Sequence, residues 1–133
     1  MPRELKYSEQ NEITLFDSLS GTKIKLYYKT PTTQDRILYQ SAALNILTKK
    51  NSFEEVINLQ LSWAEKFITG FRKGDFTVEG KEISSDKNDS DYYPGWFGIL
   101  KETASDILMN VIKTIFGESS FVIKEEPRPF VVN

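Results

Sequence analysis

The feature that most constrains this chain is one apolar stretch near its C-terminal end, "WFGILKETASDILMNVIKTIFG", residues 96–117. Trp96, Leu100, Ala104, Ile107, Val111 and Ile115 recur every three or four positions, the spacing of one face of an α-helix. The spacing predicts a long helix over 96–116, with Gly117 free to take the left-handed backbone that closes it. Phe97, Leu108, Ile112 and Phe116 widen the stripe beyond what one neighbouring element covers. Either this helix is central in the domain, or one of its faces meets another polypeptide.

Two more helices precede it. In "TPTTQDRILYQSAALNIL", Pro31 ends an extended run, and Thr32 with Asp35 three residues on approximates a capping box. Leu38, Ala42, Ala43, Leu44 and Leu47 then predict a buried stripe. The next helix starts at a second capping box, Ser52 with Glu55, and carries Val56, Leu59, Trp63 and Phe67 to about residue 68. Gly70 is read as its C' residue. The candidate protein-binding residues on these wide apolar faces are Trp63 and Phe67, together with Trp96, Phe97, Leu100, Leu108, Ile112 and Phe116.

The remaining elements are β-rich. Runs at Ile13 to Phe16 and Lys23 to Tyr28 flank a polar connection containing Gly21, which predicts a hairpin. Ile24, Leu26 and Tyr28 fall on the covered face, opposite Lys23, Lys25 and Tyr27. In "DFTVEGKEIS" a small hairpin turning at Gly80 is expected, with Phe76, Val78 and Ile83 plugging one end of the helical layer. "YYPGWF" reads as a plug at the start of the last helix or as a protein-contact patch. Beyond it come a strand at Phe121 to Lys124 and a segment with Pro127 and Pro129 that favours extended chain. That tail joins a sheet edge on another molecule, docks on its own domain, or frays. The expected fold is α+β and mostly helical: three principal helices, an N-terminal β-hairpin and a small central hairpin, as one domain over 1–120 with an extended tail over 121–133. A chain of 133 residues with nine Phe, six Tyr and two Trp has the length and the large side chains for such a core.

The chain contains no cysteine and no histidine, which removes thiolate nucleophiles, imidazole bases and the usual zinc ligands, so no metal, cofactor or catalytic residue is expected. "SDKNDSD" alternates oxygen-bearing side chains as a calcium loop does, but Asp91 stands where that loop needs glycine and Phe97 where it needs a bidentate Glu. A solvated acidic loop is the expectation. "SGTK" at 20–23 lacks the first glycine of a phosphate loop, since Phe16 stands there. Carboxylates are plentiful, yet no spacing selects two of them for acid-base work. The net charge of −2 argues against a broad nucleic-acid face, and the early lysines fit a solvated strand. No run approaches the roughly 18 apolar residues of a membrane span, and the N-terminus lacks the apolar core of a secretory signal, so a cytoplasmic protein is expected.

In the order of its elements the chain resembles the small tail assembly chaperones of long-tailed bacteriophages and related prophages. The resemblance runs over most of residues 12–117: a β-rich lead, the helix opening "YKTPTTQDRILYQ", a helix running into "FITGF", the hairpin-like "DFTVEGKEIS", and a last helix after a polar linker. It implies a non-enzymatic protein of the host bacterial cytoplasm that coats the tape-measure protein or another phage tail protein, helps recruit tail-tube subunits and can form a homo-oligomer. The alternatives are a structural head-tail connector or tail-terminator subunit locked into a ring by edge strands, and a carboxylate hydrolase.

Overall fold

The computed structural model describes residues 2–48 and 52–117. The expected strand and tail over 121–133 lie outside the described residues, as does the Ser52 side chain expected to cap the second helix. The described residues form an α+β fold of four helices and two small antiparallel sheets.

Strands β1 (Asn11–Asp17) and β2 (Thr22–Tyr28) form the expected hairpin. Its register sets Ile13 opposite Leu26 and Leu15 opposite Ile24, so one parity of both strands turns inward. Ile24 and Leu26 are buried and Tyr28 half-buried, while Lys25 pairs with Glu12 at 3.1 Å across the strands. Asp17 closes the turn by accepting from the Ser20 N–H at 3.2 Å and hydroxyl at 2.8 Å, and these bonds to Ser20 hold its carboxyl below the usual value.

Helix α1 (Thr33–Leu47) begins at the expected capping box, with Thr32 Oγ1 accepting from the Asp35 N–H and Asp35 accepting from the Thr32 N–H. Its expected buried stripe is not formed. Leu38, Leu44 and Leu47 are exposed, Ala42 and Ala43 are half-buried, and Tyr39 is the buried residue of the helix. Periodicity identified an apolar face, but the rest of the fold meets α1 along a different line.

Helix α2 (Ser52–Phe67) passes straight into β3 (Ile68–Phe71), an edge strand on β2 and a second correction to the sequence reading. Gly70 is not among the positive-φ glycines and ends no helix. It is a strand residue pairing with Tyr27, and a Cβ there would sit 2.6 Å from Ser85 Oγ. The absence of a side chain admits Ser85, whose hydroxyl accepts from the Phe71 N–H at 3.0 Å. The register slips between Tyr27 and Tyr28, and the hydroxyl of Thr69 donates to the Glu9 carbonyl at 2.9 Å.

The small hairpin β4 (Thr77–Val78) and β5 (Lys81–Glu82) turns at Glu79 and Gly80, whose φ values of 52° and 80° are those of a two-residue type I′ turn. Ile83 is buried, and Phe76 and Val78 lean on the core, as the plug reading expects. Where one long helix was expected there are two, α3 (Trp96–Thr103) and α4 (Ser105–Ile115), separated at Ala104 (φ −139°). Thr103 turns its hydroxyl back to the Ile99 carbonyl at 2.6 Å, while Ser105 and Asp106 suit the first turn of a new helix. Helix α4 packs on both α2 and β1, and its Leu108, Val111 and Ile112 are fully enclosed.

Candidate functional site: an apolar groove between the first two helices

Six of the eight candidate protein-binding residues lie in the interior. Trp63, Phe67, Leu100, Leu108, Ile112 and Phe116 are all buried, and Trp96 and Phe97 are half-buried. Phe116 stacks on Tyr39 at 4.8 Å and meets Trp63 and Phe67 edge-on at 5.2 and 5.1 Å. The wide apolar faces of α2 and α4 therefore serve a central helix, the first of the two options their width left open. Trp96 meets Phe71 at 5.7 Å, consistent with the plug reading of "YYPGWF".

Apolar surface is presented elsewhere. Ile37, Leu38, Leu44 and Leu47 on α1 and Phe53 at the start of α2 are all more than half exposed, Phe53 reaching 78%. Between α1 and α2 runs a groove enclosing about 130 Å³, walled by Ala43, Leu44 and Leu47 on one side and Val56 and Gln60 on the other. Tyr39, Gln40 and Phe116 also line it. A space of roughly 150 Å³ holds a benzene ring, so the groove is sized for one aromatic or branched side chain.

Gln60 is the unusual member. It is 4% exposed, it lines this groove, and its carboxamide has no hydrogen-bond partner among the described residues. A buried amide without a partner costs about 1–3 kcal/mol. A carboxamide brings two donors and an acceptor, the same set a peptide unit uses, so an incoming backbone would satisfy it. The sequence carried a signal for this residue: Gln60 is a polar position four after Val56 and three before Trp63, on a stripe otherwise apolar.

One end of the groove is built by side chains of α1 reaching the end of α4. Arg36 donates to the Ile115 carbonyl at 2.7 Å and Gln40 to the Phe116 carbonyl at 3.3 Å, so they satisfy carbonyls that a helix end leaves open. The Arg36 guanidinium also lies 5.9 Å from the Phe116 ring centroid. The sequence analysis gave neither Arg36 nor Gln40 a role.

The other concavities are more open. A cleft of about 380 Å³ between the small hairpin and the α3–α4 bend is lined by Asp17, Glu79 and Asp106, but Asp17 is engaged in its own turn. A cleft of about 500 Å³ beside the N-terminal segment is lined by Arg3, Glu4, Lys6 and Arg36, the last committed to Ile115. The acidic stretch 86–91 folds on itself and on Lys73, which meets Asp89 and Asp91 at 3.0 Å each. The Asp91 N–H and the Lys73 ammonium hold the Asp89 carboxyl below its usual value, and those two carboxylates, Asp89 first, raise Lys73 above its own. Among the described residues no group of three or more acidic side chains is arranged to hold a metal ion, and no helix is long and apolar enough to cross a membrane.

Comparison of the chain with protein-family models, curated proteins and solved structures finds no match.

Proposed function

We propose that this protein is a binding module that shields an apolar segment of another polypeptide on the outer face of α1 and α2, and that it acts as a tail assembly chaperone for a phage tape-measure protein. The observation that carries the proposal is the row of exposed Ile37, Leu38, Leu44, Leu47 and Phe53 beside a groove containing a carboxamide with no partner among the described residues. A long helical client exposes apolar stripes, and an apolar helix pair with a narrow groove suits that kind of ligand. Modest single contacts repeated along one client by several copies give reversible coating through multivalency. The client identity rests on the resemblance in element order, which the α+β fold accommodates. The proposed setting is the cytoplasm of the infected bacterium.

The test is copurification of the intact chain with a tape-measure fragment, followed by light scattering. The expected result is a complex carrying several copies per client, weakened by Leu44→Ser. A strictly monomeric protein that retains no client overturns the reading.

One observation favours the structural-subunit alternative. The three-stranded sheet is open, in the order β1-β2-β3, and Phe16 on its outer strand is exposed. Stable rings of the protein alone, closed through β1, would support that alternative over the chaperone.

A further inference from the structure

We infer that the cleft between the small hairpin and the α3–α4 bend receives the segment Pro2–Tyr7 of a second copy of this chain, so that copies join head to tail. The cleft is apolar inside and acidic at its rim. Val78, Ile83, Leu100 and Ile107 wall it, Asp17, Glu79 and Asp106 line it as well, and among the described residues no lysine or arginine does. None of the three carboxylates has an ion-pair partner among the described residues. An occupant therefore has to bring apolar bulk and positive charge together. One described segment of the chain brings both. Leu5 is 87% exposed and Tyr7 54%, and neither belongs to the core or to the residues packed against it. Arg3 and Lys6 flank Leu5, with Glu4 the one anion among them. The Lys6 N–H donates to the Glu4 carbonyl at 3.1 Å, a three-residue turn that sets Leu5 at its tip.

Size and placement agree with this occupant. A space of roughly 150 Å³ takes one benzene ring, so a cleft of about 380 Å³ takes a leucine and a tyrosine ring together. The two surfaces sit at opposite ends of α4. The cleft meets its start at Ala104, Asp106 and Ile107, whereas Arg3, Glu4 and Lys6 share a concavity with Thr114 and Ile115 at its end. From Ala104 to Ile115 the helical rise amounts to about 17 Å. Ser8 is tied to Thr30, its N–H donating to the Thr30 hydroxyl at 3.0 Å and its carbonyl accepting from the Thr30 N–H at 2.8 Å. The three residues from Ser8 to Leu5 reach about 10 Å, so the segment falls short of its own cleft. A second copy supplies it. A knob at one end and a matching cleft at the other make a heterologous contact, which repeats from copy to copy. The contact is small and belongs with weak, transient interfaces. It is separate from the α1–α2 groove and does not rest on the client reading.

The test is sedimentation velocity of the intact chain from about 10 μM to about 1 mM, the span over which a weak contact assembles. The expected result is association that grows with concentration and weakens in high salt. Two variants separate the halves of the contact. Leu5→Asp removes the knob and keeps the cleft, while Glu79→Lys combined with Asp106→Asn alters the cleft and keeps the knob. Each should weaken self-association about tenfold with helix content unchanged. Their equimolar mixture should form a complex of two chains and no larger one, because each variant retains the half that the other lacks. The inference is overturned if the wild-type chain stays monomeric over this range, if either variant associates as tightly as wild type, or if the mixture yields no two-chain complex.

Discussion

Helices α1 and α4 are both rich in branched apolar residues, yet Leu108, Val111 and Ile112 of α4 are completely enclosed while Ile37, Leu38, Leu44 and Leu47 of α1 stand more than half in solvent. The difference lies in their neighbours. Helix α4 sits between α2 and the β1 strand and has protein on several sides, whereas α1 rests mainly on α2 and is anchored by Tyr39, Arg36 and Gln40. The apolar residues of α4 make the fold, and the leucines of α1 stand outside it. The same residue types hold the molecule together in one helix and, in the function proposed above, meet a partner in the other.

The contrast can be broken most forcefully at its rigid side. Leu108→Ala should cost about 3 kcal/mol in urea unfolding, since it empties a fully enclosed position. A loss under about 1 kcal/mol would mean that α4 is not the centre of the core. Tyr39→Ala should cost about 2–3 kcal/mol and release α1 selectively, visible as faster amide exchange across 33–47 than across α4. Uniform loss of protection would show that α1 is as integral as α4.

On the exposed side, Leu44→Ser should change stability by less than about 0.5 kcal/mol while weakening binding of the proposed client about tenfold, roughly 1.4 kcal/mol. Unchanged binding by calorimetry would remove α1 from the interface. Away from both helices, Asp75 accepts from the Lys25 N–H at 2.8 Å and pairs with Arg72 at 3.1 Å, so Asp75→Ala should cost about 1 kcal/mol by leaving a strand N–H unpaired.

The smallest effect is the pH dependence of the Lys73 cluster. Asp89 is held below 3.8, so its contribution is fully present above that value and is lost as pH falls through the lower folded-state pKa. Lys73 is held above 10.5, so its contribution is fully present below that value and is lost as pH rises through the raised pKa. Thermal melts of wild type and Lys73→Met should therefore differ by a constant small amount between these limits and converge beyond both. A difference that grows toward acid would contradict the assignment.

Much of the architecture was legible because it follows from local rules. The β1–β2 hairpin, the Thr32–Asp35 capping box and the Glu79–Gly80 turn are each fixed by a few adjacent residues. Strand β3 was not legible, since "ITGF" follows the helix without a break and a short apolar run fits a helix end or a strand equally well. Gly70 belongs to the same failure: its requirement comes from Ser85, fifteen residues away, and not from its own helix. The candidate site was missed for a related reason. Spacing reveals that a helix has an apolar side but not which neighbour lies against it, so most residues ranked for binding are those of the core, and Leu38, Leu44 and Leu47, placed inside, are exposed.

The direct passage from α2 into β3 has a mechanical consequence. With no loop between Phe67 and Ile68, the rotational phase of the helix and the facing of the strand are locked to each other. One added residue at that joint must either swing the groove wall by about 100° or turn Phe71 to the opposite side of the sheet. The wall that carries Val56 and Gln60 is thus indexed to the sheet like a key cut to its lock, and its pitch cannot drift independently of the strands.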